Sequence, residues 1–236
     1  MFNRFFVGCL LLIWMNASAL ADIPTSARAK AAIKRVKPLL KDALKAKGLA
    51  YGAPLFVRIF KATNELEVWL EAANGKFKLF RTYPICHYSG SLGPKQKQGD
   101  RQSPEGFYYV RPRQMNPYSQ FHLSFNLGYP NAYERAHGYT GDYLMVHGNC
   151  VSIGCYAMTD KKIEEIYALA NAALSNGQAF FRVHAFPFRM TSENMREYSD
   201  SPWIGFWRNL KTGYDFFENT GRVPNVRVKN RQYIFE

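Results

Sequence analysis

Apolar positions recur at two different periods along this chain of 236 residues. Between residues 26 and 48, Ile33, Val36, Leu40 and Leu44 fall three or four apart, which puts them on one face of a helix. Lys30, Lys34, Arg35, Lys37, Lys41, Lys45 and Lys47 cover the rest of that segment. Pro38 lies inside it and is expected to kink or interrupt the helix. A basic amphipathic helix can rest on an anionic membrane, but a helix packed on its own domain is the expectation here. The period then shortens to two. Segments 55–61, 66–71 and 76–83 are rich in β-branched and aromatic residues, and Asn64 and Asn74-Gly75 mark the turns between them, so an antiparallel meander is predicted. It ends in Cys86-His-Tyr-Ser-Gly90. A polar loop over 91–103 follows, then a strand over 106–111 introduced by Ser103-Pro-Glu-Gly106.

From 112 to 141 the pattern is irregular, apart from a predicted strand over 121–127. Tyr129, Asn131, Tyr133, Arg135, His137 and Tyr139 suit the wall of a groove better than a core, and long loops of this kind are commonly functional. A short apolar run over 143–146 reads as a buried strand. A helix over 160–174 turns Ile163, Ile166, Leu169 and Ala170 inward, with Thr159 or Asp160 as its cap. Residues 179–185 return to strand. The remainder has helical parts at 193–198 and 203–217 and a final hairpin, 225–228 with 232–235, across Lys229-Asn230. These elements add up to a mainly β protein with flanking helices, an α+β class. There is no internal repeat, low-complexity segment or convincing domain boundary.

The first residues follow neither period. Arg4 precedes an apolar run over 5–15, and Ala19-Leu-Ala21 precedes Asp22. This is the pattern of a secretory signal peptide with cleavage expected after Ala21, and the run is short for a membrane span. Cys9 does not read as a lipidation site, because the apolar run continues past it. Removing residues 1–21 leaves 215 residues, enough for one sizeable core, and lowers the net charge from +13 to +12 by the loss of Arg4 alone. An exported protein so basic suits a polyanionic wall or membrane face rather than nucleic acid, although the charge can also serve solubility alone. Three cysteines remain: Cys86, Cys150 and Cys155. In an oxidising compartment an odd count leaves at least one thiol unpaired. A Cys86–Cys150 pair with Cys155 free is the expectation, and three free thiols are the alternative.

Chemistry concentrates in residues 143–159. The strand delivers His147-Gly148, and Ser152-Ile-Gly-Cys155 lies in a turn shortly before the helix. One reading makes Cys155 a buried structural cysteine. A second binds a metal through His147, Cys150 and Cys155, a set whose spacing matches no zinc signature. The third, which we favour, is a nucleophile and base. A thiol at its ordinary pKa of about 8.5 is only a few per cent ionised at neutral pH and needs a base or a positive field beside it. His147 offers both: with Nδ1–H held by the Gly148 carbonyl, Nε2 would accept the thiol proton. The Gly154 and Cys155 N–H groups would receive a developing oxyanion, and Ser152 would orient the turn or bond the substrate. A thiol pKa depressed by His147 and the helix end is therefore expected. His137 is the nearest competing base but has no strand to fix it. His87 and His122 have no nucleophile placed like Cys155 after them, and His184 alternates within its strand and reads as structural. No metal and no cofactor is expected.

These residues resemble the signature of the YkuD-type L,D-transpeptidase domain, in which a strand ending in His-Gly is followed by Ser-x-Gly-Cys. Ser103-Pro-Glu-Gly-Phe107 is similar to that family's threonine-proline-x-glycine-x-phenylalanine element. Tyr88-Ser-Gly-Ser-Leu-Gly-Pro-Lys-Gln-Lys-Gln-Gly-Asp100, Asn131-Ala-Tyr133, Ala136-His-Gly-Tyr139 and Cys150-Val-Ser-Ile-Gly-Cys-Tyr-Ala-Met158 resemble its YafK branch almost word for word. The resemblance implies a β-sandwich-like catalytic domain over 53–188, with a basic helical segment at 22–52 and a helical and hairpin extension at 189–236. It implies a periplasmic enzyme that attacks a diaminopimelate carbonyl of peptidoglycan stem peptides to form a thioester on Cys155. Tyr88, Lys95, Tyr133 and His137 become candidates for substrate binding. An amine acceptor would give transpeptidation and water would give hydrolysis. The branch resembles amidases that free the murein lipoprotein from the wall, so the lipoprotein is the implied partner. Two departures matter: Ile153 stands where the wider family has a second histidine, and Ala157 where it has an arginine. The loop between histidine and cysteine is also shorter. Nucleophile and base are unaffected, but the floor and one wall of the site change, which argues against ordinary cross-linking.

Overall fold

The computed structural model describes residues 22–236, so the signal-peptide reading of 1–21 lies outside the described residues. Ser26 starts the first helix, α1 (Ala27–Ala46), by accepting the Ala29 N–H at 3.1 Å. Pro38 does not interrupt α1. It sits on the exposed side, where the carbonyl it leaves without a partner can bond water. The opposite stripe, Ala29, Ala32, Val36, Leu40 and Leu44, is buried, which spends the apolar face of α1 within the domain.

The meander forms as β1 (Leu55–Phe60), β2 (Glu65–Glu71) and β3 (Phe77–Pro84), turning at Asn64 (φ 53°) and Gly75 (φ 73°). It is followed by β4 (His87–Tyr88), β5 (Gly106–Val110), a 3₁₀ turn at Pro112–Gln114, β6 (Met115–Asn116), β7 (Ser124–Asn126) and a short helix, α2 (Ala132–Ala136). Then come β8 (Met145–His147), β9 (Tyr156–Ala157), α3 (Asp160–Ser175), β10 (Phe181–Phe186), α4 (Ser192–Glu197) and α5 (Ile204–Thr220). The hairpin β11 (Val226–Lys229) and β12 (Gln232–Phe235) ends the chain.

The fold is α+β, with two five-stranded mixed sheets. The larger has the order β3-β2-β1-β10-β5, with β10 parallel to β1 and every other pair antiparallel. The smaller has the order β4-β9-β8-β7-β6, with β8 and β9 parallel. Inner faces of both sheets share one core with α1 and α3. The far side of the larger sheet is closed by a second core, built from Trp207, Leu210 and Tyr214 of α5, Tyr233 of the hairpin, and Phe60 and Phe186. This double cover explains why β1 is buried at all six positions, Arg58 included. That guanidinium meets the Glu67 carboxylate at 2.9 Å across the β1–β2 register and lies over the rings of Trp69 and Phe217.

Three local expectations change. The strand predicted over 121–127 contracts to Ser124–Asn126, because His122 takes φ 68° and breaks the extended run. The hairpin turns on Asn230 and Arg231, both at positive φ, one residue later than expected. Tyr133 is buried in a core, whereas Tyr129, though also buried, lines a cleft together with Asn131 and Arg135. Tyr133 sits between Tyr233 and His137, with centroids 4.6 and 4.1 Å away. Asn131 caps α2, accepting the Tyr133 N–H at 2.7 Å, and Glu134 completes a capping box.

Candidate active site

In the register between β8 and β9, Val146 pairs with Tyr156 and His147 with Ala157. Val146 and Tyr156 are fully buried in the core. Alternation therefore turns His147 and Ala157 to the other face, and Cys155 immediately precedes β9, beside the start of β8. The Met145 N–H donates to Cys155 Sγ at 3.4 Å, and the thiol points at the Tyr143 carbonyl at 3.6 Å. His147 is buried beneath Phe121, ring centroids 4.7 Å apart. Its Nδ1 lies 2.5 Å from the Gly148 carbonyl. A carbonyl only accepts, so the proton belongs on Nδ1 and Nε2 is left as the acceptor.

Burial pushes the Cys155 thiol up from its ordinary pKa, against smaller lowering effects from the Met145 N–H and the Lys95 charge. Burial also pushes His147 down, opposed by its bond to Gly148. Both shifts favour a thiol and a neutral imidazole, the opposite direction to the depressed thiol expected from the sequence. Burial is the reason: the thiol is half-buried, and the Met145 N–H and the Lys95 charge offset only part of the cost.

The connecting turn is held at several points. Gly148 has no left-handed backbone; its hydrogen is required because a Cβ would lie 2.6 Å from Asp160 Oδ1 and 2.9 Å from the Phe121 carbonyl. The same carboxylate oxygen accepts the Asn149 N–H at 2.8 Å. Cys150 is bonded to Cys86, with Cα atoms 5.4 Å apart, and Cys155 is free. The disulfide takes Cys150 out of the three-ligand metal set. Gly154 has φ 153°, a conformation a side chain would strain. Ser152 Oγ donates to the Cys155 carbonyl at 2.7 Å and accepts the Gly154 N–H at 3.1 Å. That bond occupies the Gly154 amide. Among the described residues, the Cys155 N–H makes no hydrogen bond and is the backbone donor left beside the sulfur.

The other named candidates are placed unevenly. Lys95 is buried, its ammonium 2.5 Å from Asp100 Oδ1 and 2.8 Å from the Lys97 carbonyl, and its field reaches Cys155. Tyr88 pairs with Tyr156 in the β4–β9 register and so turns to the inner face, with the Lys61 ammonium 5.7 Å from its ring. His137 donates through Nδ1–H to the Tyr133 carbonyl, 2.9 Å away, within the aromatic stack of the second core. It is not brought to the thiol. His122 faces Glu164 at 2.8 Å.

Residues 57–175 match the family model of the YkuD L,D-transpeptidase catalytic domain. The chain is also 49% identical over 183 residues, 78% of its own length and 74% of the relative's, to YafK of Escherichia coli (strain K12), which carries a provisional L,D-transpeptidase assignment. The chain belongs to the YkuD L,D-transpeptidase family. Two solved structures share a similar arrangement. The helical cell shape determining protein Pgp2 of Campylobacter jejuni, as its K307A mutant, is 18% identical with a TM-score of 0.48, over 82% of this chain and 66% of that one. Bd1075 of Bdellovibrio bacteriovorus is 16% identical with a TM-score of 0.44, over 75% of this chain and 78% of that one.

Within this L,D-transpeptidase frame, the two departures differ in placement. Ile153 is 80% exposed, and Val151 and Tyr143 are exposed as well, whereas Ala157 is fully buried between strands. Two neighbours named in the sequence for other reasons are placed at the site. Ser103 Oγ donates to the Cys155 carbonyl at 3.1 Å, so two hydroxyls hold that carbonyl. His87, exposed and paired with Ala157, shares the face of His147. Their closeness to Cys155 has no local signal, because His87 arrives by strand pairing and Ser103 by a side-chain hydrogen bond, each from more than fifty residues away.

Proposed function

We propose that this member of the family is a periplasmic cysteine amidase that hydrolyses the amide joining the murein lipoprotein to a peptidoglycan stem peptide. The observation that carries the reading is a free thiol held by the first residue of β8, the strand that ends in an imidazole whose Nδ1–H is fixed by Gly148, which leaves Nε2 to accept a proton. As Sγ attacks the diaminopimelate carbonyl, Nε2 takes the thiol proton and the Cys155 N–H meets the oxyanion. Collapse breaks the C–N bond, and the departing lysine amine takes the proton from His147. A water, deprotonated by the same Nε2, then attacks the thioester, releasing a carboxylate and restoring the thiol. The exposed apolar residues Tyr143, Val151 and Ile153 favour a polypeptide on the leaving side, and the histidine and arginine of the wider family are absent at Ile153 and Ala157. The leader-like residues 1–21 and the Cys86–Cys150 disulfide favour an exported, oxidising setting.

Incubation with lipoprotein-bearing sacculi tests this. Free lipoprotein is expected from the native protein and none from Cys155→Ala. New diaminopimelate cross-links, or lipoprotein newly attached, would replace the hydrolase reading with a transpeptidase one. Full activity of Cys155→Ala in cells would instead indicate a non-catalytic wall-binding module.

A further inference from the structure

One wide cleft contains neither Cys155 nor His147. It measures about 710 Å³ and lies along β5, the edge strand of the larger sheet, between the 126–135 segment and the terminal hairpin. Arg111, Arg135, Arg182 and Arg227 line it, against a single carboxylate, Asp142. Among the described residues, only Arg227 reaches a carboxylate, Glu236 at 3.1 Å on the exposed rim. Arg135 bonds the Pro130 carbonyl. Arg111 lies over the Tyr109 ring at 4.3 Å. Arg182 is half-buried and donates at 2.6 Å to Asn225 Oδ1, a neutral partner. Burial lowers its pKa with nothing of opposite charge to offset the cost, the state a bound anion would relieve. Behind it, His184 forms part of the floor, both ring nitrogens buried without a hydrogen-bond partner.

The shape is that of an extended ligand's site. Phe180 and Arg182 are shared with a second hollow of about 510 Å³ that continues to Arg222. At the other end the cleft reaches Tyr143, the residue whose carbonyl faces the thiol. Recognition by strand addition is blocked on β5. The Phe107 carbonyl accepts Asn131 Nδ2 at 3.0 Å, and the Tyr109 carbonyl accepts Gln114 Nε2 at 3.3 Å. Side-chain charge must do the selecting.

We infer that this cleft binds a peptide bearing carboxylate groups through guanidinium–carboxylate pairs with Arg111, Arg135 and Arg182, and that the peptide held there leads past Tyr143 to Cys155. The inference goes beyond the hydrolase reading and does not require it, since binding is read without turnover. Calorimetric titration of the full chain carrying Cys155→Ala uses a diaminopimelate-containing stem tetrapeptide and the same peptide with its carboxylates amidated. Saturable binding of the free acid is expected, weakened about tenfold or more by amidation, by Arg135→Gln with Arg182→Gln, and by raised salt. Should the pair containing Arg182 unfold the protein, Arg111→Gln with Arg135→Gln, both exposed, gives the same reading. Absence of saturable binding overturns the site, as does equal binding of the amidated peptide or an affinity unchanged by both pairs. Tripolyphosphate displacing the peptide and binding more tightly than it would also overturn the inference, by making the cleft a general polyanion surface.

Discussion

Burial acts on Cys155 and His147 in opposite directions, and both shifts favour the uncharged pair. Nucleophilicity must then come from proton transfer during attack, and at rest the sulfur should alkylate slowly. The rate of iodoacetamide alkylation is expected to rise with pH through a midpoint above the ordinary thiol value of about 8.5. A midpoint below 7 would instead establish a resting ion pair. The acidic limb of turnover should lie below about 6.5, since His147 stays neutral further down in pH than a free histidine. The candidate nucleophile and base were legible at this scale because they lie eight residues apart and carry a short motif. Their charge state was not, because it depends on how much protein covers the sulfur. Ser103 was equally hidden, since its bond to the Cys155 carbonyl crosses fifty-two residues.

Among the elements, the turn from β8 to β9 does the positioning, and Asp160 ties it to the start of α3. A methyl group at Gly148 would press on that carboxylate and on the Phe121 backbone, and a backbone cannot yield as a side-chain tip does. Gly148→Ala should therefore cost about 1–3 kcal/mol of stability. It should also lower turnover more than substrate affinity, because the Gly148 carbonyl would be displaced from His147 Nδ1; denaturant titration and sacculus-release rates check the two effects. What this position needs is close approach, not a left-handed backbone. Longer elements were readable because their periods repeat: α1, α3, α5 and the β1–β3 meander all appear close to their expected places. The two-residue strands β4, β6 and β9 were not, since two residues carry no period.

Across the whole molecule, a buried charge network joins the C-terminal extension to the site. Lys61 Nζ bonds Glu105 Oε1 at 2.9 Å, the Gly93 carbonyl at 3.0 Å and the Ser103 carbonyl at 3.1 Å; both charged side chains are fully buried. Trp207 of α5 donates to the second oxygen of Glu105 at 2.8 Å. Lys61→Met leaves Glu105 charged without its counterion and should destabilise the protein by about 3–5 kcal/mol. That corresponds to roughly 10 °C in thermal midpoint for a domain of this size. A loss within 0.5 kcal/mol would show that the network does not hold α5 to the site.

The chain's own pattern settled the α+β class and the family and singled out Cys155 and His147 as the candidate pair, because each is written in local periods or short motifs. Tertiary structure alone decided that β10 enters the larger sheet parallel to β1, that α5 covers that sheet's second face, and that Tyr133 belongs to a core instead of a groove. It alone also assembled the arginine cleft, whose four charges come from the 3₁₀ turn's cap, α2, β10 and the last hairpin. Such features depend on which surfaces remain to be buried once local elements have formed, and long-range pairing chooses among them only when the entire chain is folded.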